Sequence, residues 1–457
     1  MDKLKHLLQS LNESKDLTQG SPMKLILNFG LPLLFGLVFQ QFYNMVDSVI
    51  VGQKLGTNAL AAVGSTGCIN FMILGFCIGM CNGFAIPVAQ AFGAKDFKSL
   101  KKYITSCVWT SIFFSALITI VICIMTSQIL VWLKTPDSIM KDAYAYIFVI
   151  FLGIPVTFLY NMTSGILRSL GDSITPVIFL ILSSVLNIIL DVLLVIPMGV
   201  RGAAVATVIA QSVSGIVCLI YMIRKLAYLD FEKEDWYFNL SACLKLCGMG
   251  VPMGLQYSIT AIGSVILQSA VNDMGETYVA AVAAGTKISM FLCCPFDAMG
   301  STMATYGGQN VGAKRLDRVD AGLKACIKIG VLYAILSFVI LVIFGNKLSL
   351  LFVKKTETEL IHYIYIFIIG NSAFYIALAL VNIVRFMIQG LGYSTFAIIA
   401  GICEMIARGI AGFLLVPHFG FICVALASPF AWIMADIFLI PAYLWVMKQL
   451  RKKLSIV

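Results

Sequence analysis

Twelve apolar runs fill most of this chain, at approximately 25-51, 59-88, 99-126, 142-166, 174-197, 202-223, 241-270, 277-304, 323-345, 360-388, 395-416 and 421-446. Each is long enough to cross a bilayer core, which takes roughly 20 residues in helical form. Hydrocarbon offers no partner to a backbone N–H or C=O, so runs of this kind fold as helices. With 60% hydrophobic and 12% charged residues, the chain falls far from a soluble globule, whose charged share is about 25%. The expected fold is an all-α membrane protein with 12 transmembrane helices. Only short connections remain between the runs, with no room for a soluble catalytic, nucleotide-binding or periplasmic domain.

A second pattern divides the twelve into two sixes. Gly30, Pro32, Gly56, Ala61-Ala62-Val63, Gln90 and Gly93-Ala94-Lys95 recur about 220 positions later as Gly250, Pro252, Gly275, Ala280-Ala281-Val282, Gln309 and Gly312-Ala313-Lys314. Leu170-Gly171 with Ser173 likewise matches Leu391-Gly392 with Ser394. Leu193-Leu194-Val195-Ile196-Pro197 resembles Leu414-Leu415-Val416-Pro417 with one residue deleted. Because six is even, both copies enter the membrane from one side, which makes a parallel repeat about an axis along the membrane normal. The reading is two pseudo-symmetric six-helix bundles with a central cleft. Its divisions are an N-terminal segment 1-23, an N-lobe 24-228, a charged linker 229-240, a C-lobe 241-448 and a tail 449-457. Ser21-Pro22 is suited to start the first helix, and Gly93 and Gly312 to stop the second helix of each half. Leu4, Leu7, Leu8 and Leu11 form a one-faced stripe that would suit a short helix on the inner leaflet.

The net charge of +10 raises the question of nucleic acid, but its distribution answers otherwise. Most of the 32 Lys and Arg lie in alternate connections and at the two ends, as with Lys95, Lys98, Lys101, Lys102, Lys314, Arg315 and Arg318. The opposite loops carry few, such as Lys54, Arg201 and Lys354. This positive-inside pattern places both termini in the cytoplasm of a multi-pass cell-membrane protein. The 13 cysteines are scattered through apolar segments, with no paired spacing in the outside loops and no C-x-x-C, and read as small buried hydrophobes. No Gly-Lys dipeptide occurs, hence no P-loop, and H-E-x-x-H and G-x-S-x-G are missing too. Neither an enzyme nor an ATP-driven pump is expected, and no cofactor.

Polar groups inside the runs carry the chemistry. Gln40, Asn44 and Asp47 stand at i, i+4 and i+7 on one face of the first helix. A central aspartate costs roughly 2.5–3.5 kcal/mol on insertion-derived scales, and intramembrane acids are functional by default. A structural carboxylate capping a neighbouring helix is the competing reading. Pro32, fifteen positions earlier, removes a backbone hydrogen bond and permits a kink, which makes it a candidate switch. Asn187 and Asp191 stand at i, i+4 in the fifth run. Together with Thr207 in the sixth they would offer a hard cation an all-oxygen site, or the acids would hold protons. The residues leave sodium and proton both open. Glu404 and Arg408, again at i, i+4, favour an intrahelical ion pair in the second half. Arg385 is available to pair with Asp297 or Asp436, and His362 and His418 sit near outer helix ends. Tyr43, Tyr146 and Asn161, with Gln40 and Asn44, are candidates to line a cleft for flat lipophilic cations.

In these features the chain resembles the multidrug and toxic compound extrusion (MATE) family, from about Lys24 to Lys448. The likeness rests on two six-helix halves, Gly-Ala-Lys after each second helix, Pro32 and Asp47 in the first helix, and Asn187-x-x-x-Asp191 in the fifth. It implies cation-coupled antiport of lipophilic, often cationic compounds by rocker-switch alternation. The DinF-type branch implies a cation site at Asp47, Asn187, Asp191 and Thr207. The NorM-type branch implies a glutamate in the seventh helix and an aspartate in the tenth. Here the seventh has Gln256 and Thr260, with no acid before Asp273, and no acid occurs between Glu359 and Glu404. Coupling by H+ or Na+ is therefore expected in the first half, with small lipophilic or cationic molecules as partners and a monomer as the working form. The alternative is a flippase for lipid-linked oligosaccharides or peptidoglycan precursors, although only Arg385 and Arg408 lie well within spans.

Overall fold

A computed structural model describes residues 16–133 and 135–454, so the leucine stripe at Leu4 to Leu11 lies outside the described residues. The spans form where the apolar runs predict them. They are Pro22–Leu55, Asn58–Gly93, Phe97–Trp132, a bent fourth span, Ile174–Met198 and Val200–Lys225 in the first half. In the second half they are Leu240–Asn272, Glu276–Gly312, Leu316–Ser349, a bent tenth span, Thr395–Phe419 and Phe421–Lys453. Each helix exceeds its apolar run at one or both ends, by as little as one residue at Met198 and as much as eight at Gly312. Among the described residues no strand occurs, as the membrane requires.

The fourth and tenth runs each fold as two helices. Asp137–Leu152 meets Ile154–Ser169 at 43°, and Thr358–Ser372 meets Tyr375–Gly390 at 48°. At the first bend Pro155 follows Gly153 and removes a ladder hydrogen bond. No proline marks the second bend. There the side chain of Asn371 donates to the carbonyls of Phe367 (2.9 Å) and Ala425 (3.2 Å), and the helix yields where side chain and backbone compete for acceptors.

The chain divides into two compact units that follow the repeat, except at the first helix of each half. The first unit holds Leu31–Gly254; the second holds Leu255 onward together with Thr18–Gly30. Within the second unit Arg318 donates to the carbonyl of Gly20 at 2.9 Å. Within the first, the start of the seventh span packs on the second span so closely that a Cβ on Gly83 would lie 2.5 Å from the Gly250 Cα. Small residues are what permit such approaches between membrane helices.

The backbone repeats more faithfully than the sequence. Residues with positive φ recur in register: Gly56 and Gly275, Lys95 and Lys314, Gly171 and Gly392, Gly199 and Gly420. Gly171 and Gly199 stand as far apart as Gly392 and Gly420, so nothing is deleted from the eleventh span. Pro417 simply sits one position earlier than Pro197 in this register, and the helix widens into a π-turn over Ala411–Leu415. Gly93 and Gly312 do end their helices, but the left-handed position beyond them belongs to Lys95 (φ 56°) and Lys314 (φ 58°). Each amide pair closes the helix end, Lys95 and Asp96 onto Phe92 and Ala91, Lys314 and Arg315 onto Val311 and Asn310. A lysine there complements the negative end of the helix dipole.

The charged linker folds onto the third span inside the first unit. Lys101 donates to the Asp230 carbonyl at 2.6 Å and to Asp235 at 3.2 Å, and the Trp109 indole donates to the Trp236 carbonyl at 3.0 Å. The Glu232 N–H first, and Lys101 after it, hold the Asp235 carboxyl below its ordinary 3.8. A depressed folded value means this contribution is intact above 3.8 and is lost as pH falls through the lower folded value. Trp236 fluorescence should therefore report the linker loosening only below pH 3.8. Asp235→Asn should remove that step, and an unchanged acid transition in the variant would contradict the assignment.

Candidate functional site

The fifth span sorts its residues by face. Ser184, Asn187, Asp191 and Val195 are buried, while Leu182, Val185, Ile189, Val192 and Ile196 are exposed, the arrangement of a membrane helix with lipid outside and polar groups within. The fifth and sixth spans turn at Gly199 (φ 63°), a conformation that favours glycine. A Cβ at Gly202 would collide with the Leu194 carbonyl, so the two helices run in backbone contact. This approach brings Thr207 opposite Asn187.

Asp191 is fully buried and Asn187 is 2% exposed. The Asn187 amide lies 3.3 Å from the Thr207 hydroxyl. In the orientation that satisfies both ends, its nitrogen donates to Asp191 Oδ2 at 3.2 Å and its oxygen accepts from the Thr207 N–H at 3.2 Å. The Thr207 hydroxyl donates back to the Ala203 carbonyl at 3.1 Å. From the first span, the half-buried Asp47 brings its carboxyl into hydrogen-bonding contact with that of Asp191. Both acids retain an Oδ1 that is buried and has no hydrogen-bond partner. Among the described residues neither acid forms an ion pair. Two carboxylates in contact at low dielectric repel one another, so the pair requires a proton or another cation to hold it.

Around the acids runs a chain of polar side chains. The Tyr43 hydroxyl is within hydrogen-bonding reach of Gln40 and Gln211, and close to both acids. Tyr146, itself buried, faces Asp47, Tyr43 and Asp191. The Gln211 amide oxygen accepts from the Thr157 hydroxyl at 3.4 Å, and Asn161 donates to the Thr157 carbonyl at 2.8 Å. Gln40, Tyr43, Tyr146 and Asn161 thus connect to the acids, while Asn44 is exposed on the first span. Pro32 lies inside the unbroken helix Pro22–Leu55, two positions past the last residue of that helix to pack with the second unit. Gln211 was not among the residues picked out by sequence. Its signal was available, because it follows Thr207 by one helical turn in an apolar run, the same spacing that exposed Asn187 and Asp191.

The second unit has a different polar cluster. Glu404 pairs through Oε1 with Arg385 and through Oε2 with Arg408 at 3.4 Å. Arg385 therefore takes Glu404 as its direct partner, while Asp297 and Asp436 interact with it at longer range. Beside it, Gln389 donates to Gln256 at 2.7 Å. His418 bonds its own helix at the Leu414 carbonyl, 2.9 Å away.

A doubled set of six spans with acids buried among its helices defines a membrane transporter, and comparison with known proteins gives the family. The MatE family model matches residues 32–193 and 252–414, one match in each half. A probable multidrug resistance protein of Bacillus subtilis, YpnP, is 30% identical over 345 residues, covering 75% of this chain and 77% of its own. A FAD transporter of Shewanella oneidensis is 23% identical over 84% of this chain and 85% of its own. A structure described as the outward-facing conformation of a multidrug resistance MATE family transporter superposes with a TM-score of 0.88. Its identity is 22%, and the match covers 96% of this chain and 99% of that one. The chain belongs to the MATE family of multidrug efflux transporters and is not an enzyme.

The acid pair carries a stability signature. Asp191→Asn removes one of two like charges and keeps the shape, so at neutral pH the variant should unfold at or above the wild-type temperature, gaining up to about 2 kcal/mol. Asn187→Ala strips a fully buried carboxyl of its donor and should cost about 1–3 kcal/mol. Thermal unfolding in detergent measures both. Strong destabilisation by Asp191→Asn would mean that the acids are structural.

Proposed function

We propose that the protein is a cation-coupled antiporter that exports lipophilic, often cationic compounds, with H+ or Na+ exchanged at Asp47, Asn187, Asp191 and Thr207. The observation that carries this reading is the contact between the half-buried Asp47 and the buried Asp191, which among the described residues share no basic partner. A cation entering there is held by carboxyl, amide and hydroxyl oxygens, the donor set that a hard cation prefers. This is also the set implied by the likeness to the DinF-type branch. Gln40, Tyr43, Tyr146 and Asn161 border the same polar chain and, with the exposed Asn44 on the first helix, would meet the exported compound. Drug and cation then compete for one polar network, so that loading either favours release of the other.

Alternation requires that the cation bind one conformation better than the other, because equal affinity shifts nothing. Pro32 is suited to relay the change. It leaves one carbonyl of the first helix without its ladder partner, close to where that helix passes from the second unit to the first. In this reading the two halves rock against each other, a single copy suffices, and the basic connections keep both termini on the cytoplasmic side of the cell membrane.

The test is efflux of a fluorescent lipophilic cation from vesicles under separately imposed sodium and proton gradients. One of the two gradients should drive efflux in the wild type. Asp47→Asn should reduce that efflux to the level of protein-free vesicles, with expression and unfolding temperature retained. Undiminished efflux in the variant would remove the coupling role.

A further inference from the structure

The matched backbone positions allow the acid site to be mapped onto the second unit residue by residue. Counting from Gly56 and Gly275, Asn44 corresponds to Gly263 and Asp47 to Ile266. Counting from Gly171 and Gly392, Asn187 corresponds to Arg408 and Asp191 to Gly412. The contacts support the mapping, since a Cβ on Gly412 would lie 3.7 Å from the Ile266 carbonyl and 3.8 Å from the Leu267 Cα. The seventh and eleventh spans therefore meet where the first and fifth meet in the other unit. Neither aspartate has an acidic counterpart at this crossing, although Thr207 maps onto Ser428 and a hydroxyl is kept. At the counterpart of Asn187 stands Arg408, with its Nη2 3.4 Å from Glu404 Oε2. Its side chain packs against Gly263, where a Cβ would stand 3.2 Å from the Met405 Cα and 3.4 Å from both the Cδ and the Nη1 of Arg408. Arg408 is 6% exposed, and its Nη1 is buried without a hydrogen-bond partner.

We infer that Arg408 is a built-in cation, occupying in the second unit the position that the first unit keeps for an exchangeable one. An arginine side chain remains protonated in proteins and is tethered by its own backbone, so this site neither loads nor empties. Glu404 serves as its counter-ion and Arg385 neutralises the other carboxylate oxygen. The second unit is then held permanently in the equivalent of a loaded state, and ion exchange is confined to one unit. The geometry also predicts a latent site. With the Arg408 side chain removed, the space between Gly263 and Glu404 should accept a small planar cation of guanidinium type, because a carboxylate binds that fork through parallel N–H bonds.

The functional meaning rests on the proposed cation exchange at Asp47 and Asp191, but the site itself can be tested without transport. Full-length Arg408→Ala should melt below the wild type. Millimolar guanidinium chloride should restore most of the lost melting temperature, while potassium chloride or urea at the same concentration should not, and the wild type should stay unmoved. If the alanine variant does not fold, Arg408→Ser, which opens the same space and leaves a hydroxyl, should show the same selective rescue. A melting temperature that guanidinium raises no more than potassium does, in whichever variant folds, would overturn the assignment. Loss of coupling at Asp47 would leave the rescue intact, so the two readings fail separately.

Discussion

Contact between two carboxyl groups in the interior of a membrane protein is the constraint on which this structure turns. Desolvating each carboxylate costs several kcal/mol even after relaxation, and the second raises the cost of the first. An arginine would relieve the strain at once, as the second unit shows, where Glu404 has two. Asp47 and Asp191 have an amide, a threonine and two tyrosines around them. A proton or another small cation would relieve the repulsion at a site of that kind, so its stability would depend on whether one is bound. That dependence is what a carrier needs in order to couple one movement to another.

The surrounding helices serve to hold that contact. The turn at Gly199 and the backbone approach at Gly202 fix the fifth and sixth spans together, which sets Asn187 against Thr207. The first span supplies Asp47 and Tyr43 from the other side. It is also divided between the two units, with Pro32 beside the division. Movement at that point would reach the acids along a single helix. The same scaffold in the second unit carries Glu404 between two arginines, so one repeated frame holds two acids in one copy and a neutralised acid in the other.

Much of this was legible in the chain. Twelve spans followed from apolar length alone, because the bilayer imposes its thickness on every helix and leaves little freedom in where they begin and end. Asp47, Asn187 and Asp191 stood out because acids and amides are costly in such runs. The bends in the fourth and tenth spans were missed, although Gly153 and Pro155 mark the first. The second depends on Asn371 reaching the Ala425 carbonyl, a tertiary contact that no local pattern announces. The partner of Arg385 was equally hidden, since Glu404, Asp297 and Asp436 are all acids within apolar runs and only packing decides among them. Exact correspondence within the repeat also needed the backbone. The one-residue shift between Pro197 and Pro417 leaves the counterpart of Asp191 open between Ala411 and Gly412, and the left-handed glycines of both halves select Gly412.

The central claim is that one exchangeable cation resides between Asp47 and Asp191 and is displaced by the exported compound. The most direct measurement is cation release from the purified protein on addition of a transported drug, followed as pH change in weak buffer or as loss of bound radioactive sodium. Release should accompany drug binding in the wild type and vanish in Asp191→Asn under conditions where the variant still binds the drug. Undiminished release from that variant would contradict the account.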